Sequence, residues 1–134
     1  PRSPPPGRRA TLLVVDNVPA NLSLARSTFE PFGYEVVTAC TLQQALALAR
    51  EAPPDLILSD VHMPGGNGFD LLHAVKADSR LNRIPFVFIS STVWAVQGCR
   101  AQALALGAAD FITRPLEPQA LLSRIEACLK TRRE

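Results

Sequence analysis

Pairs of polar residues end four apolar runs of this 134-residue sequence, and their side chains are of the kinds that bind a metal ion and a phosphoryl group. The pairs are Asp16 with Asn17, Ser59 with Asp60, Ser90 with Ser91, and Thr113 with Arg114. Carboxylate oxygens suit Mg²⁺, which usually takes one or two carboxylates and keeps several waters. A carboxylate beside a metal, a hydroxyl and a cation can act as a nucleophile in phosphoryl transfer, because the metal and the cation neutralise the incoming oxygens.

These pairs can meet only if the runs that carry them are strands of one sheet. Five short apolar runs are typical of strands buried on both faces of a parallel sheet. They are TLLVVD (11–16), YEVVTA (34–39), DLILSD (55–60), PFVFIS (85–90) and AADFIT (108–113). Helices are predicted over about 19–32, 41–51, 68–77 and 92–106, and from about 117. This alternation predicts an α/β fold, a doubly wound five-stranded parallel sheet with five helices, whose right-handed crossovers bring the carboxyl ends of all strands to one edge.

Local signals set the limits of the first two helices. An apolar face of the first helix is predicted from Leu22, Ala25, Phe29 and Phe32. Gly33 is placed to end that helix, since a glycine adopts the left-handed conformation of a helix C-terminus. Pro53 and Pro54 stop the second helix, because proline cannot continue one.

The chain from about residue 11 to residue 129 resembles a response-regulator receiver domain, which has a flavodoxin-like fold. The most specific segment is DLILSDVHMPGGNGFDLL, in which Asp60 is followed at +3 and +4 by Met-Pro and at +8 by Gly68. LLVVDNVPAN is similar to the family's first strand with its acidic pair, and IPFVFISS to its hydroxyl-bearing fourth strand. GAADFITRPL is similar to the family's strand that ends in a cationic residue before a proline. Four motifs in this order make a chance match improbable.

The resemblance implies a phosphorylation site with a bound metal. Asp60 takes the position of the phosphoacceptor, and Asp16, Asn17, Asp60 and the main-chain carbonyl of His62 take the positions that bind Mg²⁺. Arg114 takes the position of the family's lysine.

The resemblance also implies a switch. Ser90 takes the position of the hydroxyl that bonds a phosphate oxygen, and Phe111 that of the aromatic side chain whose rotamer the family couples to it. Relatives often have a cis peptide before the proline that corresponds to Pro115.

The function implied is a phosphoprotein of two-component signal transduction or of a phosphorelay. Asp60 would take phosphate from a histidine kinase or phosphotransfer protein, and the change of conformation would control an output domain on the same longer chain or a docked protein. The chemistry would be self-catalysed phosphotransfer and autodephosphorylation, so we do not expect an enzyme acting on a metabolite.

Two residues depart from the family pattern. Asn17 replaces the second acidic residue, so we expect Mg²⁺ to bind weakly, and Arg114 replaces a compact ammonium with a planar fork. Asn17 has an alternative interpretation as a helix cap, and Asp16 one as a turn former. The departures favour a second function, a phosphorylation-independent pseudo-receiver for protein interaction or dimerisation. A flavin-binding electron carrier is excluded, because no phosphate-cradling loop follows the first strand.

Composition and charge limit the remaining possibilities. Hydrophobic residues make up 47% of the chain, enough for the core of one domain. The net charge of +2 comes from the two ends, which carry +5 and leave −3 on the body, so direct nucleic-acid binding is not expected. No apolar run reaches the roughly 18 residues of a membrane span. Cys40, Cys99 and Cys128 lack metal-ligand spacing and are interpreted as free thiols of a reducing cytoplasm.

The expected organisation has three parts. Residues 1–10, rich in proline and arginine, are interpreted as a linker or as residues left by cloning. Residues 11–129 form the receiver domain, and residues 130–134 begin a C-terminal linker to a further domain. We expect a cytoplasmic fragment of a longer polypeptide that does not bind membranes, and a homodimer is compatible with the sequence.

Overall fold

The computed structural model describes residues 10–62, 67–90, 98–114 and 117–133, and it describes residues 131–133 by their backbone only. Four predicted features lie outside the described residues: the first nine residues, the Met-Pro pair after Asp60, the start of the fourth predicted helix and the peptide before Pro115. No helix in the described ranges is long and apolar enough to cross a membrane.

Five parallel strands form one sheet in the order β2-β1-β3-β4-β5. The strands are β1 (Thr11–Val15), β2 (Glu35–Ala39), β3 (Leu56–Asp60), β4 (Phe86–Ser90) and β5 (Asp110–Thr113). Every residue of β4 is buried, as is expected of a central strand covered on both faces. The strand order reverses between β1 and β3, so the crevice at their carboxyl ends is where ligands bind in doubly wound sheets. The predicted fold class is confirmed.

The described residues contain five α-helices, which pack on both faces of the sheet. They are α1 (Pro19–Phe29), α2 (Leu42–Glu51), α3 (Gly68–Ala77), α4 (Cys99–Ala105) and α5 (Pro118–Arg133). Side chains of α1 and α5 join one core cluster, with Leu12, Val14 and Leu58 of the sheet. Side chains of α2, α3 and α4 join the other, with Leu13, Val15 and Ile57. Successive strand residues alternate between the clusters because their side chains point to opposite faces.

The end of the first helix differs from the prediction. The α-helix stops at Phe29 and continues as a 3-10 turn over Glu30–Phe32 before Gly33, which has a φ of 93°. Pro31 explains the change, because its nitrogen has no hydrogen to donate to the preceding turn. Phe32 therefore leaves the buried face and is 45% exposed, so its assignment to the core was wrong.

Gly68, the first residue of α3, lies against the end of β3 at a point where a side chain would not fit. Its amide donates to the carbonyl of Val61, at 2.6 Å. A Cβ at this position would overlap the Asp60 carbonyl oxygen and the ring of Phe88. Asn67 and Asp70 then cap α3 reciprocally, with bonds of 3.0 Å each. The glycine at +8 is thus required by close packing against the end of β3.

A bidentate ion pair attaches α5 to β5. Arg124 donates from Nε to Asp110 Oδ2 at 2.7 Å and from Nη2 to Oδ1 at 2.6 Å. Burial raises the pKa of Asp110, but the hydrogen bonds from Arg124 and the Phe111 amide outweigh it and hold the pKa below its ordinary value. The ionised carboxylate therefore stabilises the fold.

We predict that Asp110→Asn lowers the free energy of unfolding at neutral pH by about 1 kcal/mol, since Arg124 is partly exposed and the pair is screened by water. A depressed carboxyl pKa stabilises the fold above the unfolded-state pKa of about 4, and this contribution disappears as the pH falls through the folded-state value. The difference between wild type and variant in urea unfolding should therefore shrink at acid pH. Glu51→Gln, on the exposed end of α2, is the control and should change little at either pH. A difference that is the same at both pH values would contradict the prediction.

Candidate functional site

Asp16 lies directly after β1 and is buried, with 1% of its surface exposed. Its Oδ1 accepts a hydrogen bond from the amide of Val18 at 2.9 Å. Its Oδ2 accepts from Asn21 Nδ2 at 3.0 Å and from Arg114 Nη2 at 3.0 Å. Asp16 does form the turn that starts α1, as the structural interpretation predicted. Its second oxygen also takes part in a contact with a residue 98 positions away.

Asn17 is exposed and does not cap the helix. The N-cap position of α1 is Val18, no side chain caps the helix, and Pro19 follows. The interpretation of Asn17 as a helix cap was wrong. The reason is that Asp16 already accepts from the Val18 amide, so the turn is made one residue earlier. Whether Asn17 contributes to a metal site stays a prediction.

Asp60 ends β3 with 16% of its side chain exposed. Its Oδ1 accepts from the amide of Val61 at 2.8 Å and lies 3.9 Å from Arg114 Nη1. Burial raises the pKa of Asp60, and the charge of Asp16 raises it further. Arg114 and the amides of Val61 and His62 oppose these effects only in part. Two carboxylates thus face each other at this edge, and ionisation of Asp60 costs free energy when no other cation is present.

Arg114 contacts both carboxylates through different nitrogens. Its side chain is 31% exposed, and its backbone amide donates to the Ser90 carbonyl at 2.6 Å. This backbone bond extends the pairing of β4 with β5 past Thr113 and fixes where the side chain begins. The guanidinium lies closer to Asp16 than to Asp60.

The predicted switch residues are both buried. Ser90 lies at the end of β4, one residue past Ile89, which is the register partner of Asp60, so its hydroxyl belongs to the same edge of the sheet. Phe111 is fully buried, with its ring centre 5.8 Å from that of Phe88. Arg100 of α4 donates to the Phe111 carbonyl, which connects this position to the helix beside it.

Two further predicted residues have only part of their surroundings described. His62 is exposed and follows Val61, and its amide lowers the pKa of Asp60. Ser91, the partner of Ser90 in the sequence pattern, lies outside the described residues. The ligand role of the His62 carbonyl stays a prediction.

The sequence reasoning missed Asn21, which positions Asp16. Its amide donates to Asp16 Oδ2 from the first turn of α1, at 3.0 Å. A signal was available, since a polar residue in the first turn of the helix after β1 lies near the end of that strand. Asn21 was not singled out because an exposed helix position is polar by default.

The residues at this edge fit Mg²⁺ better than other metals. Asp16 and Asp60 offer hard oxygen ligands, and Mg²⁺ needs only one or two carboxylates because it retains waters. The described residues contain no group of three or more His, Cys, Asp and Glu side chains that could hold a metal ion, so an ion at this edge would have only these two carboxylates as acidic ligands. The raised pKa of Asp60 shows that a cation would be favoured here.

Comparison with known proteins identifies relatives of this chain. A family model described as the response regulator receiver domain matches residues 12–126. Response regulator PleD of Caulobacter vibrioides is 40% identical over 118 residues, which cover 88% of this chain and 26% of PleD. Protein PilH of Pseudomonas aeruginosa is 30% identical over 126 residues, 90% of this chain and 98% of PilH. The chain thus spans about a quarter of PleD and nearly all of PilH.

Solved structures of response regulators also resemble this chain. The chemotaxis response regulator CheY4 of Vibrio cholerae superposes with a TM-score of 0.81 and 31% identity, covering 89% of this chain and 98% of that chain. A putative response regulator from Chloroflexus aurantiacus superposes with a TM-score of 0.85 and 26% identity, covering 90% and 98%.

The two carboxylates should respond in opposite ways to neutralisation. We predict that Asp60→Asn raises the free energy of unfolding at neutral pH in metal-free buffer, because it removes a carboxylate whose pKa is raised. A raised carboxyl pKa means that the ionised group destabilises the folded state, and this cost disappears once the carboxyl is protonated in both states. The gain of the Asn variant should therefore vanish as the pH falls to about 4. Asp16→Asn should lower the free energy of unfolding by about 1–3 kcal/mol, because its amide has one acceptor oxygen where the buried carboxylate has two, and the donors on the other oxygen lose their acceptor. Urea unfolding measures both effects, and a change of the same sign in the two variants would refute this account.

Proposed function

This chain belongs to the response-regulator receiver domain family, and on that basis we propose that it accepts phosphate on Asp60 from a histidine kinase or phosphotransfer protein and switches conformation to control an output. Receiver domains of two-component systems generally bind Mg²⁺ at the acidic phosphorylation site, interact with histidine kinases and are often fused to output domains. Many relatives are longer than this chain, since the matched region covers 26% of PleD and 52% of PhoB from Pseudomonas aeruginosa. We therefore propose an output domain on the same polypeptide or a docked protein as the partner.

The observation that carries the proposal is the position of Asp60. It ends the central strand β3, is partly exposed, and has Asp16 and Arg114 as its charged neighbours. An attacking carboxylate must be ionised and reachable, and the transferred phosphoryl oxygens must meet positive charge. Of the two carboxylates at this edge, Asp60 is the more exposed, with 16% of the side chain accessible against 2% for Asp16.

The proposed reaction assigns one task to each side chain. An oxygen of Asp60 attacks the phosphorus, the bond from phosphorus to the donor's imidazole nitrogen breaks, and an acyl phosphate forms. Arg114 then holds phosphoryl oxygens through its planar fork. Bound Mg²⁺ would neutralise part of the phosphoryl charge, with Asp16, Asn17, Asp60 and the carbonyl of His62 as its proposed ligands. The ionised form of Asp60 can attack without a general base, because a carboxylate has no proton to lose.

The proposed switch uses the end of β4. A phosphoryl group on Asp60 would offer its oxygens to the Ser90 hydroxyl, since Ser90 follows the register partner of Asp60. A shift of Ser90 would be transmitted to Phe111, because the Arg114 amide connects the two strands beyond their last paired residues. The new hydrogen bond biases a two-state element without the need for a large movement at the site.

The pseudo-receiver function is the second candidate, and one observation favours it. Asp16 is already paired with Arg114 and accepts a hydrogen bond from Asn21, so this carboxylate has partners for its charge without a metal. In this case the domain would bind its partner or a second copy without phosphorylation. The test of phosphorylation separates the two candidates.

We predict that wild type, incubated with acetyl phosphate and Mg²⁺, gains the mass of one phosphoryl group, and that Asp60→Asn does not. Asp55→Asn is the matched control, because Asp55 precedes the same strand at its opposite end and bonds the Thr11 amide. This control should be labelled like wild type, and removal of Mg²⁺ with a chelator should prevent labelling. Labelling of Asp60→Asn, or no labelling of wild type, would overturn the proposal.

We also predict that Asn17→Asp strengthens Mg²⁺ binding about tenfold, which corresponds to about 1.4 kcal/mol. A further carboxylate next to Asp16 adds attraction for a divalent ion, and the cost of burying it is small because position 17 is exposed. Asn82→Asp is the control, since it adds the same charge at an exposed position beyond α3, near the opposite edge of the sheet. Amide shifts near Asp60 in a Mg²⁺ titration measure the affinities. Equal gains in the two variants would show a general charge effect and no role for position 17.

A further inference from the structure

We propose that Arg114 is an internal counter-ion of Asp16 that competes with a metal ion for this carboxylate, so that this arginine lowers the site's affinity for divalent cations. The inference rests on the proposed function, because it concerns the same edge of the sheet. It goes further by assigning Arg114 a role before phosphorylation. The role is one of competition with the metal.

The two distances of the guanidinium carry the inference. Nη2 lies 3.0 Å from Asp16 Oδ2, within hydrogen-bond range, whereas Nη1 lies 3.9 Å from Asp60 Oδ1. A cation that served only a phosphoryl group on Asp60 would have its shorter contact with Asp60. The shorter contact is with Asp16, a proposed metal ligand. The positive charge of the arginine therefore lies where the positive charge of a metal ion would lie.

The oxygen that Arg114 contacts has no room for another ligand. Asp16 Oδ2 accepts from Asn21 and from Arg114, and two donors fill its two lone pairs. Only 2% of the Asp16 side chain is exposed. A metal ligand bond to Oδ2 therefore requires one of the two donors to leave.

Arg114 is the donor that can leave. Asn21 is fixed in the first turn of α1 and has a short side chain. Arg114 has a long side chain that is 31% exposed and held at its end by the two carboxylates. A divalent ion would also repel the guanidinium, since both are positive.

The structure provides space for this movement. A cavity of about 260 Å³ lies between α1 and α5, with Asp16, Asn21, Leu24, Arg114 and Leu121 among the residues that line it. Released from Asp16, the guanidinium can turn towards solvent, to which 31% of the side chain is already exposed. A phosphoryl group on Asp60 would then offer it a new anionic partner, so metal entry would release the cation that phosphotransfer needs.

The family's lysine would compete less effectively at this position. A guanidinium presents several donors in a rigid fork, so it can reach two carboxylates at once. An ammonium is a single compact charge and stays more strongly hydrated. The exchange of lysine for arginine thus adds a competing cation to a site that already lacks the second acidic residue.

The experiment is a Mg²⁺ titration without a phosphate donor, followed by amide shifts near Asp60, on wild type and three variants. Arg114→Ala should bind Mg²⁺ about tenfold more tightly than wild type, equivalent to about 1.4 kcal/mol. Arg114→Gln, which keeps a side chain of similar polarity without the charge, should also gain and guards against a folding defect in the alanine variant. Arg83→Ala is the control, since it removes the same charge from an exposed position between α3 and β4. It should bind like wild type.

Binding that is unchanged or weaker in both Arg114 variants would overturn the inference, because an arginine that only positions Asp16 would help the metal. A second measurement uses wild type alone: saturating Mg²⁺ should shift the Arg114 Nε–H signal, and an unchanged signal would also overturn the inference.

The mass assay with acetyl phosphate distinguishes the two proposals. Labelled wild type with no gain in the variants defeats the inference alone, and a gain in the variants with unlabelled wild type defeats the proposed phosphorylation alone.

Discussion

The site depends on the repulsion between two carboxylates held at one edge of the sheet. Asp16 and Asp60 end neighbouring strands, and their side chains are too buried for water to screen them fully. Burial raises the pKa of Asp60, and the charge of Asp16 raises it further. Some cation must compensate for the two charges, and in the described residues the guanidinium of Arg114 contacts both. An ionised, accessible carboxylate is also what the proposed phosphoryl transfer would require.

The rest of the domain holds the two carboxylates in place. Parallel pairing of β1 with β3 fixes their separation, and both strands are covered by helices that form two apolar layers. The packing of Gly68 against the Asp60 carbonyl and Phe88 keeps the start of α3 against the end of β3. Asn21 and the Val18 amide orient Asp16 from α1. Side chains with ordinary structural roles thus maintain an electrostatic arrangement that is unfavourable by itself.

The cation at position 114 connects the electrostatics to the proposed signalling cycle. In the absence of metal it neutralises Asp16, and its backbone amide joins the ends of β4 and β5 where Ser90 and Phe111 lie. The proposed events of metal entry, phosphotransfer and switching therefore share one residue. An arginine favours such a shared role, because it cannot lose its charge and can bond two anions at once. The Arg114 side chain borders the cavity between α1 and α5 and is partly exposed, which is compatible with the proposed change of partners.

The sequence by itself determined the fold class, and it predicted the edge of the sheet at which Asp16, Asp60, Ser90 and Arg114 lie. It could do so because apolar runs and helix signals are local, and parallel strands place their carboxyl ends together. The tertiary structure alone decided that Arg114 pairs more closely with Asp16 than with Asp60, that Asn21 positions Asp16, and that Asn17 is not a helix cap. The first depends on a contact between residues 98 positions apart, which no local pattern encodes. The other two depend on which neighbouring groups the carboxylate of Asp16 bonds, and residue types alone do not decide that. Phe32 shows the same limit. The helical period alone predicted it on the apolar face of the first helix, but the 3-10 turn at Pro31 leaves it exposed.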